Sequence, residues 1–94
     1  MKTHAAEKAA DILRALANPS RLRIAALLCS REMCVCEITE ALNEKESLVS
    51  QNLNKMKDKG ILISRRSGNK VIYSLKDSVM MSNFLDCVVH GQDI

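Results

Sequence analysis

The apolar residues of this chain change their period at Gly60, and that change limits what the chain can fold into. Before Gly60 they recur at intervals of three and four; after it, "ILISRR" and "KVIYSL" alternate and are rich in β-branched residues. The first spacing lines one stripe of a helix and the second one face of a strand. "SGN" lies between the two alternating runs and is a turn signal, so they read as a two-stranded hairpin. Upstream, a helix from Ala5 to Ala17 carries Ala9, Ile12, Leu13 and Leu16 on a sticky face and stops at "NPS". Pro19 cannot continue it, and Asn18 or Ser20 can cap the next helix, "RLRIAALLCS", whose Leu22, Ile24, Ala25, Leu27 and Leu28 are expected to be largely buried. A third, short helix falls in "CVCEITEAL". After "NEK" a fourth runs over roughly 46–58, closed by "DKG", where Gly60 supplies the left-handed C-terminal residue. From about Lys76 to His90 a last helix gathers Val79, Met80, Phe84, Leu85, Cys87 and Val88 on a broad apolar side. The expectation is a mainly α fold with one β-hairpin, forming one domain over residues 1–94.

A chain of 94 residues buries only about 60 to 65% of its extended surface, so the core is thin and a partner subunit is expected. The apolar fraction of 47% is that of a globular protein, yet Tyr73 and Phe84 are its only aromatic residues. Leu, Ile, Val, Ala and Met must fill the interior. No apolar run approaches the roughly 20 residues that span a bilayer, and "MKTHAAEKAADILRALA" is charged throughout, unlike a signal peptide. A cytoplasmic protein without membrane partners is expected, with its four cysteines as reduced thiols. There is no activated nucleophile pattern, no Gly-rich phosphate loop and no carboxylate pair in a concave setting. The sequence therefore speaks against an enzyme and calls for no organic cofactor.

Charge is uneven along the chain. Residues 1–44 balance, whereas residues 45–76 carry eight Lys and Arg against Glu46 and Asp58. A short helix, a turn, a second helix and a basic hairpin follow one another in the winged helix-turn-helix order, and the basic block falls on the second helix and the hairpin. With Val49, Leu53 and Met56 on the buried side of that helix, Ser47, Ser50, Gln51 and Asn54 fall on or near the opposite face, with Asn52 at the flank. Short polar side chains there suit base edges in a major groove, and Gln51 suits a bidentate contact to adenine. Lys55, Lys57, Arg65, Arg66 and Lys70 suit phosphates. Double-stranded DNA is the expected partner. A winged-helix module for protein interaction is the reading from another class, and a neutral helix and wing would have favoured it.

"LANPSRLRIAALL", "EMCVCEITEAL" and "SLVSQNLNKMKDKGILISRRSGNKVIYSL" together resemble the arsenic-repressor (ArsR/SmtB) family of regulators, nearly end to end. The resemblance rests on the Pro-x-Arg-Leu turn up to Leu22, the V-S-x-x-L core at Val49 to Leu53, and the G-x-x-x-x-R-R-x-G-x-x-x-x-Y wing from Gly60 to Tyr73. It implies a homodimeric repressor, paired through its first and last helices, that releases an inverted-repeat operator when an inducer binds. The family's usual His after V-S-x is Asn52 here, and its usual Ser before the recognition helix is Lys45.

"CVC" needs its own explanation. Residues i and i+2 of a regular helix stand about 200° apart, so Cys34 and Cys36 cannot both face one core. If the first of them is still extended at a helix N-terminus, the pair can converge on one soft ion such as Zn, Cd, Pb, Cu(I) or a thiophilic metalloid. The other reading is one packed cysteine and one incidental exposed thiol. The stretch "EMCVCEI" resembles the arsenite-sensing members of the family, which implies As(III) or Sb(III) coordination by Cys34 and Cys36. Some members have a third ligand two residues later, where this chain has Thr39, and Cys29 is the nearest substitute. Two alternatives use other residues: a thiol-redox or persulfide response through Cys29 and Cys87, and a zinc site on the last helix, where Asp86 and His90 are four apart but the upstream D-x-H half is missing.

Overall fold

The computed structural model describes residues 1–90, without the side chain of His90. Its helices are α1 (Thr3–Leu16), α2 (Pro19–Leu28), α3 (Val35–Leu42), α4 (Glu46–Asp58) and α5 (Ser78–His90); its strands are β1 (Met33–Cys34), β2 (Leu62–Ser67) and β3 (Lys70–Leu75). The hairpin expected from the sequence is present as β2 and β3, and a third strand joins it. Met33 and Cys34 pair antiparallel with Tyr73 and Ile72, so the sheet has three strands in the order β1-β3-β2. Two residues are too few to show an alternating pattern, and the extended start of "CVC" is part of this sheet.

Local chemistry explains the joints. The side chain of Asn18 accepts from the Arg21 N–H at 3.1 Å and caps α2, with Pro19 in the first turn where its missing N–H costs nothing. Gly60, at φ +77°, turns the chain out of α4. Gly68, at φ +63°, is the first of the two residues linking Ser67 to Lys70, which is the primed hairpin turn that needs a glycine there. Asp77 Oδ1 accepts from the Met80 N–H at 2.9 Å and caps α5. The turn between α3 and α4 is held from below: Glu44 Oε1 accepts from Ser20 Oγ and from Arg23 Nη1, each at 3.1 Å, while Arg23 Nη2 donates to the Leu42 carbonyl. Asn43 takes a left-handed conformation, φ 53°, to enter that turn.

Ile24 of α2, Ile38 of α3, and Val49, Leu53 and Met56 of α4 are fully buried, and Leu62 and Met81 nearly so. They form one cluster that fixes α4 against α2, α3 and β2. On α5 the broad apolar side divides between the core and the surface. Met81 is buried and Phe84 and Leu85 half-buried, but Val79, Met80, Cys87 and Val88 are exposed, as is Leu13 of α1. A thin core can cover only one stripe of α5, three and four residues apart, and the other apolar residues face outward.

Candidate nucleic-acid interface and thiol site

With Val49, Leu53 and Met56 anchored, the opposite side of α4 presents Ser47, Gln51, Asn54 and Lys55 to solvent, with Ser50 half-buried. Leu48, 42% exposed, interrupts this polar surface. Asn52 does not belong to it. Placed three residues after Val49 and four before Met56, it lies on the inward stripe, is 4% exposed, and accepts from Arg21 Nη1 at 3.1 Å through Oδ1. Arg21 also donates through Nε to the carbonyl oxygen of Ala15 at the end of α1. Asn52 is thus a link between α2 and the recognition helix, and its inclusion among DNA-facing residues is corrected by its burial.

On the wing, Arg66 and Lys70 are exposed. Arg65 is exposed as well but is paired with Glu32, just before β1. Lys57 Nζ donates to Ser64 Oγ at 2.6 Å, tying the end of α4 to β2. Lys59, which caps the end of α4, pairs with Asp11 of α1 at 3.0 Å. Of the five cations expected to meet phosphates, Lys55, Arg66 and Lys70 make no ion pair among the described residues, whereas Lys57 is tied to Ser64 and Arg65 to Glu32.

The cysteine pair straddles the junction of β1 and α3. Cys34 ends the strand and is the N-cap of α3, with extended backbone (φ −85°, ψ 169°), and Cys36 is the second helical residue. The extended start postulated for a converging pair is present. Cys34 is 4% exposed and Cys36 lies open. Both line one concavity of about 200 Å³, whose other wall is Asn69, Lys70 and Val71 of the hairpin. Glu37 fixes the cap: its Oε1 accepts from the Cys34 N–H at 3.1 Å and its Oε2 from Arg31 Nη1 at 2.8 Å. The Cys34 N–H, then Arg31, then the Cys34 thiol hold the Glu37 carboxyl at about 2, below its ordinary 4.5.

Two thiols on one concavity suit a thiophilic metalloid or a soft metal ion, with a further ligand from elsewhere. Among the described residues no group of three or more His, Cys, Asp and Glu is arranged to hold a metal ion. Cys29, the third ligand considered from sequence, is not brought to the concavity; it caps the end of α2 and packs half-buried against the core. Burial, and then the charge of Asp86, push its thiol up. Cys87 is exposed on α5, and the side chain of His90, half of the alternative zinc pair, lies outside the described residues.

Sequence reasoning overlooked β1, the Glu37 cap, the Glu44 anchor and the Arg21–Asn52 link. A signal existed for one of them: Cys34-x-x-Glu37 has capping-box spacing, with sulfur in place of a hydroxyl.

Residues 18–64 match the family model described as bacterial regulatory protein, arsR family. The chain is 36% identical over 93 residues to the transcriptional repressor SmtB homolog of Synechocystis sp., covering 99% of this chain and 70% of that protein. It is 40% identical over 88 residues to the HTH-type transcriptional repressor SmtB of Mycobacterium tuberculosis, covering 93% of this chain and 65% of that protein. With the arsenical resistance operon repressor of Staphylococcus xylosus it shares 32% identity over 83 residues, 88% of this chain and 75% of that protein. Its fold is similar to that of a homodimeric winged helix-turn-helix DNA-binding domain from Mycobacterium bovis, with a TM-score of 0.83, 27% identity, and coverage of 99% of this chain and 89% of that one. The relatives are regulators of transcription, not enzymes. The chain belongs to the arsR family of bacterial regulatory proteins, as a regulator with the winged helix-turn-helix fold.

Proposed function

We propose that this chain is a cytoplasmic, homodimeric, single-domain transcriptional repressor that releases an inverted-repeat operator when As(III), Sb(III) or a soft metal ion binds Cys34 and Cys36. The observation that carries the proposal is the placement of both thiols on one concavity at the base of α3, the first helix of the DNA-binding motif. Ser47, Ser50, Gln51 and Asn54 read bases, and Lys55, Arg66, Lys70 and, once freed from Glu32, Arg65 hold phosphates. The exposed apolar residues Leu13, Val79, Met80 and Val88 supply a dimer surface on α1 and α5, in keeping with the homodimeric domain from Mycobacterium bovis. No helix among the described residues is long and apolar enough to cross a membrane.

Drawing the two thiols onto one ion pulls Cys36 toward the end of β1 and strains the first turn of α3. Since α3 packs directly on α4, the DNA-competent arrangement loses population. A coupling of about 1 to 3 kcal/mol is typical of such switches. The SmtB relatives and the arsenical resistance repressor stand side by side among the relatives of this chain, and the choice of ion rests on the thiol pair together with the resemblance of "EMCVCEI" to arsenite-sensing members. Thiol chemistry at Cys29 and Cys87 is the competing reading. The test is anisotropy of labelled DNA from upstream of the chain's own gene, titrated with arsenite, Cd(II), Zn(II) and a disulfide oxidant, for the native protein and a Cys29→Ser/Cys87→Ser variant. Arsenite or a soft ion is expected to release DNA from both. Release by oxidant alone, lost in the variant, would replace this proposal with the redox one.

A further inference from the structure

Apart from the thiols and Val35, the lining of the concavity belongs to the wing. Lys70, whose ammonium was expected from sequence to serve DNA phosphates, lines it beside Asn69 and Val71, and Cys34 is paired through its backbone with Ile72 two residues further on. A trivalent metalloid on two thiolates keeps one more position. No third cysteine lines the concavity, since Cys29 packs against the core and Cys87 lies on α5. The one charged residue that lines the concavity is Lys70, a cation with three N–H donors and no acceptor.

We infer that Lys70 also serves the thiol site: its ammonium donates to the oxygen retained as third ligand on a metalloid held by Cys34 and Cys36, so the inducer class is the oxygen-bearing trivalent metalloid acids. This rests on the thiol-site reading above. The step is As(OH)3 + 2 R–SH → (R–S)2As–OH + 2 H2O. Two As–S bonds form and two As–O bonds break; the two thiol protons leave with the departing hydroxides as water, arsenic stays trivalent, and one hydroxyl remains. That hydroxyl is what Lys70 holds. While it holds that hydroxyl the same ammonium is drawn away from a phosphate, and since Lys70 begins β3 the wing becomes a second route from inducer to operator besides α3.

The experiment compares arsenite with phenylarsine oxide, whose third substituent is carbon and accepts no hydrogen bond from Lys70. Dissociation constants are measured by calorimetry on reduced, DNA-free protein for the native chain, Lys70→Gln and Lys70→Arg. Loss of a charge-assisted hydrogen bond at an exposed site should weaken arsenite about tenfold in Lys70→Gln. Lys70→Arg, which keeps a cationic donor, should recover most of that loss, and phenylarsine oxide should bind all three alike. Equal weakening of both arsenicals, or no weakening of either, would overturn the role of Lys70 while leaving the thiol site standing. Failure of both arsenicals to bind the native chain would remove the thiol site and this inference together.

Discussion

Glu37 accepts from the Cys34 N–H and from Arg31, and those donors hold its carboxyl at about 2 against an ordinary 4.5. A carboxyl depressed in the folded state adds stability above its unfolded value, and that stability is lost as pH falls from 4.5 through 2. Urea midpoints of the native chain and Glu37→Gln should therefore differ at pH 7 and converge as pH approaches 2; a gap that ignores pH would contradict this account. Single residues were unevenly legible in the sequence. Val49, Leu53 and Met56 follow the expected burial because three apolar side chains at helical spacing define a buried face. Asn52 does not, because an amide on the edge of that face is decided by a partner 31 residues away, Arg21, which no local pattern reveals.

Elements were legible in proportion to their length and punctuation. The hairpin showed itself through twelve strand residues and a glycine turn, whereas β1, two residues long, is a strand only because β3 lies beside it. That strand changes the meaning of "CVC": the pair begins in the sheet and ends in a helix, which resolves the geometric conflict of an i, i+2 pair in a regular helix. The end of α4 gives a sharp test. Gly60 has φ +77° with no atom within 4 Å of an added Cβ, so Gly60→Ala meets backbone strain and no clash. It should cost about 1 to 2 kcal/mol in urea denaturation. A neutral result would mean that α4 can end in another way and that the wing is less firmly placed than the geometry indicates.

At the scale of the molecule, the basic block of residues 45–76 and the outward apolar residues of α1 and α5 occupy different elements, which keeps the proposed DNA and dimer surfaces apart. Cations that lie on phosphates release counterions, so log K for operator binding falls linearly with log[salt]. Replacing Arg66 or Lys55 by Ala should reduce the magnitude of that slope by about 1 for each phosphate left without its cation, and weaken specific and random DNA alike. Replacing Gln51 should leave the slope unchanged and weaken the operator selectively. The apolar side of α5 stays partly uncovered because a chain this small has more apolar helix surface than interior, which is what an expected pairing through the first and last helices calls for.

Control of DNA occupancy by the thiols of Cys34 and Cys36 is read out by the ratio of operator affinities with and without arsenite, measured on native protein and on Cys34→Ser/Cys36→Ser. Arsenite should lower the affinity of the native protein at least about tenfold, in line with a coupling of about 1 to 3 kcal/mol, and leave the double variant, which should still bind DNA in the absence of arsenite, unchanged. A double variant that still releases the operator on arsenite addition would contradict control by these thiols.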